Sequence, residues 1–341
     1  MPAKSPVYLI DGSAYFYRAY HAVAPLTTTN GLPTHAAFGL VNILRRVIKE
    51  KEPEFLAVAF DAKGPNFRHD RYPAYKANRP PMPDDLAVQI PYIKGIVGAY
   101  NLYTMEELGV EADDLIASAA RRLERLGYRV IVVSGDKDLL QLVNGNIILW
   151  DPMKDVLMDV AGVKKKYNVG PEQLLDFFAL MGDKSDNIPG VPGIGPKSAE
   201  KLINEFGTLE NLYKNLAGLK KSKMKENLEA HREDAFLSRE LIRLKESLDV
   251  SEDIDDYRLP GPDVGKLKKL YTELEFTRLL KTEVPAKGVS RKGFYLVQTA
   301  GDLAALEKLL SRAGCLVLDT ETSDLDPLSA ELVGLSLCTD S

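Results

Sequence analysis

Cysteine is nearly absent from these 341 residues: there are two, Cys315 and Cys338, both close to the C-terminus. Two late cysteines cannot cross-link a chain this long into a disulfide framework, which fits a reducing compartment. Histidine is almost as scarce. His21, His35, His69 and His231 stand far apart, and no Cys or His spacing matches a zinc site. Long apolar runs are missing too: no segment approaches the ~20 apolar residues of a membrane span. The opening "MPAKSPVYLIDGS" carries an apolar run too short for a signal peptide. A cytoplasmic protein without membrane contact is the expectation. Neither internal repeats nor low-complexity tracts occur.

What the chain does have is length, carboxylates and unevenly placed charge. Its length and its 45% hydrophobic content allow about two domains with real cores. The net charge of −5 hides a basic stretch over residues 62–82, where Lys63, Arg68, Arg71, Lys76 and Arg79 face a single acid, Asp70. Phe67, Tyr72 and Tyr75 lie between them. Cations interleaved with rings suit single-stranded nucleic acid, whose phosphates meet charge while its bases stack.

Three apolar runs, "VYLI", "FLAVAF" and "RVIVVSG", each stop at an acid: Asp11, Asp61 and Asp136. Helical patterns lie between them, for example over 36–50, so a mostly parallel sheet with helices on its faces is predicted. Ligands bind such sheets beyond the C-terminal strand ends. The stretch "GVEADDLIASAARRL" adds Glu111, Asp113 and Asp114 at the start of a helix whose apolar stripe is Ala112, Leu115, Ile116, Ala119, Ala120 and Leu123. "SGDKDLLQL" supplies Asp138 beside Asp136, and "MGDKSDNIPG" supplies Asp183 and Asp186. Two like charges about 4 Å apart repel by roughly 4 kcal/mol at an effective dielectric near 20, so a crowded rim of carboxylates needs compensating cations. Oxygen-only ligands select hard divalent ions such as Mg²⁺ or Mn²⁺, and two such ions suit phosphodiester hydrolysis.

After residue 160 the strand pattern gives way to helical spacing. "NIPGVPGIGPKSAEKLINEFG", 187–207, falls short of a P-loop because Pro196 separates Gly195 from Lys197 and no strand precedes it. It reads instead as a tight hairpin between two helices, a helix-hairpin-helix motif in which Gly193 and Gly195 let backbone N–H groups approach a phosphate near Lys197 and Lys201. Residues 251–262 look like a surface connection and 284–293 like a linker. The last stretch, 294–341, shows strand, helix, strand, loop and strand, too little for a convincing core of its own.

Taken in order, "LIDGSAYFYRAY", "FDAKGPNFRHDRYPAYKANRPPMP", "GVEADDLIA", "SGDKDLLQLV" and "MGDKSDNIPGVPGIGPKSA" resemble the 5′-nuclease domain of bacterial DNA polymerase I over about residues 5–280. "LVLDTETSDLDP" resembles the first motif of that family's 3′-5′ exonuclease domain, with Asp319 and Glu321 in the metal positions. The resemblance implies a PIN-like, flap-endonuclease α/β fold: a catalytic region over 1–165 with a helical arch at about 62–90, and a helical DNA-binding region over 166–283. A tail over 294–341 would be the incomplete start of a further domain, without 3′-5′ activity. It implies one metal ion among Asp11, Asp61, Glu111 and Asp113, and a second among Asp114, Asp136, Asp138 and Asp183, with Asp186 nearby. Tyr75, Lys76 and Arg79 match arch positions at the scissile region, Arg18 a base near the substrate phosphate, and Arg68 and Arg71 further DNA contacts. The hairpin of this family also binds K⁺. The implied protein is a monomer that cuts DNA at 5′ flaps, nicks and RNA primers; a catalytically silent branched-DNA binder is the alternative. A phosphatase fits less well, since Gly12 and Ser13 follow Asp11 where an Asp-x-Asp is usual.

Overall fold

Val7–Asp11 is buried along its whole length, as a strand covered on both faces must be. In the computed structural model, which describes residues 4–283, 295–324 and 329–339, this run is β1 of a six-stranded sheet. Its companions are Phe55–Ala59 (β2), Tyr103–Met105 (β3), Val130–Val133 (β4), Ile147–Asp151 (β5) and Val156–Met158 (β6), in the order β3-β2-β1-β4-β5-β6. β1 runs parallel to both β2 and β4, β3 and β5 continue the parallel set, and β6 alone is antiparallel. The strand order reverses between β1 and β4, which opens a crevice at their C-terminal ends. Asp11 pairs with Ala59 and Ile10 with Val133, so the residues that follow β2 and β4 emerge on the same rim as Asp11.

Alternate residues of β1 feed two cores. Val7 and Leu9 pack with the helix Ala112–Arg125 and with helices from the later region, including Leu174–Met181 and Pro196–Phe206. Tyr8 and Ile10 pack on the other face with His35–Lys51 and Ile90–Ala99. Leu267, Tyr271 and Leu279 join that second core, so the chain beyond residue 166 covers both faces of the sheet. Met1–Val284 accordingly forms one compact unit. Every residue of the stripe anticipated for Ala112–Arg125 is buried.

Several local expectations change. The connection over 251–262 is anchored: Tyr257 is fully buried and Arg258 bridges to Phe55 at the start of β2. The arch segment contains only two short helices, Phe67–Arg71 and Asp84–Ala87, joined by turns and prolines that remove helical hydrogen bonds. The hairpin is not tight. Residues 182–195 form a folded loop in which Asp183 and Ile188 bridge and Gly182 and Gly190 come together, both at positive φ. A Cβ on Gly182 would lie 2.5 Å from the Ile188 carbonyl oxygen, so glycine is required there.

Pro285–Ser341 forms a second unit. Within it, the helix Ala300–Leu310 has no buried residue, and Leu316–Thr322 (β7) pairs antiparallel with Leu332–Thr339 (β8) while exposed along its length. The first strand expected in the stretch 294–341 is not formed over 295–298. The expected linker, 284–293, lies outside the described residues. Among the described residues no helix is long and apolar enough to cross a membrane.

Candidate active site

Asp11 closes β1 and caps the helix behind it: its Oδ1 accepts the Ala14 N–H at 2.9 Å and its Oδ2 the Ser134 hydroxyl at 2.8 Å. Ser134 Oγ in turn accepts the Asp136 N–H at 3.1 Å, and Asp136 Oδ1 accepts that of Asp138 at 2.8 Å. Asp61, just past β2, accepts the Ala112 N–H at 2.7 Å, and its own N–H donates to Ser13 Oγ at 2.8 Å. Backbone dipoles and hydroxyls thus fix these acids at the strand ends. Asp11, Asp61, Glu111, Asp113, Asp136, Asp138 and Asp186 all line one cavity of about 280 Å³.

No lysine or arginine forms an ion pair with Asp11, Asp61, Asp113, Asp136 or Asp138 among the described residues. Burial and the neighbouring charges of Asp61 and Asp136 push Asp11 up to about 7, although its Ala14 and Ser134 hydrogen bonds oppose this. Asp113 is raised well above the carboxylate range by burial and by Asp11, Asp136 and Asp61. Burial and Asp136 push Asp138 up to about 8, and its Oδ1 is buried without a hydrogen-bond partner. An orphaned carboxylate oxygen among like charges suits a hard cation. No three His, Cys, Asp or Glu side chains among the described residues form a ready-made cage for an ion.

The other acids have partners. Lys76 Nζ lies 2.6 Å from Glu111 Oε1 and 3.7 Å from Asp186 Oδ2, while Arg79 pairs with Asp186 Oδ1. Tyr75 donates its hydroxyl to Glu111 Oε2 at 3.1 Å. Burial would raise Glu111, but the Lys76 and Arg68 charges prevail and hold it below its usual range. Burial likewise opposes charge on Lys76, and Glu111 and Asp186 outweigh it, so the ammonium is raised. Asp183 pairs with Lys137 and accepts the Ser185 N–H at 2.7 Å; these bonds overcome its burial and lower it.

Two residues stand where the anticipated roles do not fit. Asp114 is fully buried and does not line the carboxylate cavity: Arg68 grips both its oxygens at 2.7 and 2.8 Å, and the N–H groups of Lys245 and Glu111 complete its shell. Its lone pairs are taken, so the metal role expected of Asp114 has no room. Arg68, expected at DNA, is 2% exposed and also donates to the carbonyls of Leu241 and Arg243. Arg71 is exposed and pairs with Glu240. Gly193 takes a φ of +80°, and in the helix Pro196–Phe206 that Gly195 caps, Lys197 is exposed in the first turn and Lys201 in the middle. Asp319 and Glu321 lie two apart on exposed β7, in the second unit. Arg18 reaches the cavity wall from the helix Gly12–Ala22.

Ser13, Ser134 and Asp151 were not anticipated. Asp151 ends β5 as Asp11 ends β1, and "IILWD" shows the same apolar run closed by an acid. The serines leave no such signal, because their role depends on tertiary neighbours.

Residues 6–168 match the family described as 5′-3′ exonuclease, N-terminal resolvase-like domain, and 169–265 match its C-terminal SAM fold. The chain belongs to the 5′-3′ exonuclease family. It is 40% identical to a 5′-3′ exonuclease of Aquifex aeolicus, over 81% of this chain and 94% of that one. It is 41% identical to DNA polymerase I of Pseudomonas aeruginosa over 98% of this chain, and spans 39% of that polymerase's length. A solved structure of T5 5′-exonuclease with bound divalent metal ions (zinc) shares 25% identity and a TM-score of 0.61, covering 80% of this chain and 98% of that one. The catalytic core of Rad2 in complex with DNA substrate shares the fold at 15% identity and a TM-score of 0.54, covering 80% and 88%. The family is one of metal-dependent nucleases, and the carboxylate rim lines a cavity of this chain.

Proposed function

We propose that this protein is a Mg²⁺-dependent, structure-specific 5′ nuclease that cuts DNA near 5′ flaps, nicks and RNA primers, as the nuclease part of a polymerase I in replication and repair. The observation that carries this reading is the contrast within one cavity: strand-end carboxylates without cations lie beside carboxylates already paired with Lys76 and Arg79. Asp11, Asp61, Asp113, Asp136 and Asp138 are the residues that would hold two ions, with Mn²⁺ able to replace Mg²⁺. When bound, the ions neutralise the rim and supply a nucleophile from water at neutral pH.

The chain's own side chains do the rest. Lys76 and Arg79 exchange Glu111 and Asp186 for the oxygens of the scissile phosphate, and those two carboxylates would then be free to help hold the ions. Tyr75 keeps Glu111 oriented, and Arg18 meets the phosphate from the wall of the same cavity. Asp183 stays paired with Lys137, and Asp114 serves the fold. Gly193, Gly195, Lys197 and Lys201 meet the duplex backbone without reading sequence, with K⁺ at the hairpin. The protein acts as a monomer.

The test is a 5′-labelled flap incubated with and without Mg²⁺. Short 5′ products should appear only with the ion. Asp136→Asn should abolish them, a larger loss than the roughly 10–100-fold that a supporting residue costs a metal site, while flap binding stays within a few-fold. Cleavage at the normal rate by Asp136→Asn would remove that residue from the site.

A further inference from the structure

Arg18 is held on three sides. Its Nη2 lies 3.1 Å from Asp151 Oδ2 and its Nη1 3.3 Å from Asp151 Oδ1, a two-pronged grip. Its guanidinium carbon is 5.5 Å from the centre of the buried Tyr15 ring. On the third side it crosses Gly135, where a Cβ would run into Nη1 and stand 2.8 Å from Asp151 Oδ2. Asp151 is itself fixed, with a side chain 6% exposed and Oδ1 accepting the Met153 N–H at 3.1 Å.

From this geometry we infer that Asp151 and Gly135 are positioning residues for the nuclease reaction, a rigid bracket that aims Arg18 at the substrate phosphate. Asp151 lies outside the wall of the carboxylate cavity, whereas Arg18 and Gly135 line it. The acid therefore acts through the arginine. A guanidinium has five donors, and the two-pronged grip engages one from each terminal nitrogen. The donors left over can meet phosphate oxygens, and the planar fork fixes their direction. An unbracketed arginine would have to lose its rotamer freedom when substrate binds. Gly135 is needed for space, not for a left-handed backbone, since its φ is not positive. The atoms that would meet a new methyl group belong to the Arg18 guanidinium and the Asp151 carboxylate, not to the backbone, so Gly135→Ala should displace Arg18 from its grip and leave the strand end in place.

The inference rests on the nuclease reading, and its test has one readout that does not. Arg18 guanidinium resonances, followed by NMR in the full chain, should show slow rotation of the terminal nitrogens and fast rotation in Asp151→Asn and in Gly135→Ala. Unchanged rotation in both folded variants overturns the bracket whether or not the protein cuts DNA. The second readout is single-turnover cleavage of a flap at saturating enzyme. Asp151→Asn should slow it by up to about a hundredfold, with flap affinity unchanged. Combined with Arg18→Ala it should add nothing, because both remove the same element. A full extra loss in the double variant, or wild-type cleavage by Arg18→Ala, contradicts the proposal. Gly135→Ala should match Asp151→Asn in rate while binding Mn²⁺ as the wild type does. Loss of Mn²⁺ there, together with an unaffected Asp151→Asn, would also overturn it.

Discussion

Asp113 and Asp114 are neighbours in the first turn of one helix, and the fold surrounds them with opposite charges. Asp113 looks into the cavity among Asp11, Asp61 and Asp136 and is held well above its ordinary pKa. Asp114 looks the other way and gives both oxygens to Arg68. The split runs along the whole rim. On one side stand acids without an ion-pair partner, of which Asp11, Asp61 and Asp136 accept backbone N–H groups or a serine hydroxyl; on the other stand Glu111, Asp183 and Asp186, each matched to a lysine or arginine. Proximity in sequence does not assign a carboxylate its task; the cation that reaches it does.

Breaking the paired side at its most buried point should have the largest effect on stability. Arg68→Ala strands the fully buried Asp114, a loss that costs about 3–5 kcal/mol in comparable buried pairs. Denaturant unfolding should show it directly. A loss within about 1 kcal/mol would mean that Asp114 is not dependent on its partner.

Lys76→Ala tests the paired side where it meets substrate. Single-turnover cleavage should fall about a hundredfold, with a smaller effect on flap affinity, if Lys76 serves the transition state more than the bound substrate. A variant that binds weakly but cuts at the normal rate would return Lys76 to a simple DNA contact.

The unpaired side should reveal itself through pH. Asp11 and Asp138 ionise in the folded protein at about 7 and about 8, far above an unfolded aspartate. The folded state therefore holds more protons across this interval, and these groups make the metal-free fold lose stability as pH rises from about 4 to about 8. In chelator, thermal unfolding of Asp138→Asn should fall less steeply over that window than the wild type, and Mg²⁺ should restore the wild type at pH 8. Parallel curves for the two proteins would deny that Asp138 is strained by its neighbours.

The smallest effect belongs to the duplex grip, far from either group of acids. Lys197→Ala should reduce the salt slope of binding by about 1 and leave the cleavage step unchanged. An unaltered slope would take Lys197 off the DNA.

The strand-end placement of the acids was legible in the sequence, and their pairing with cations was not. Apolar runs that stop at Asp11, Asp61 and Asp136 announce strand ends, and a parallel sheet brings such ends together. The stripe from Ala112 to Leu123 gave the helix its buried face. Nothing local marks Arg68 as the partner of Asp114, because the two meet only once Phe67–Arg71 packs against the helix Ala112–Arg125 and the carbonyls of Leu241 and Arg243 close the shell. Composition reads Arg68 as one cation of a basic stretch, and the fold hides it. Tyr257 repeats the lesson: a polar connection on paper, it carries a fully buried ring.

Counting ions tests the division most directly. Mn²⁺ binding to the wild type, Asp138→Asn and Asp114→Asn can be followed by electron paramagnetic resonance, under conditions where circular dichroism shows each protein folded. Asp138→Asn should lose one of two ions, or bind it far more weakly, and Asp114→Asn should keep both. Loss of an ion in Asp114→Asn, with normal binding in Asp138→Asn, would reverse the assignment of the two sides.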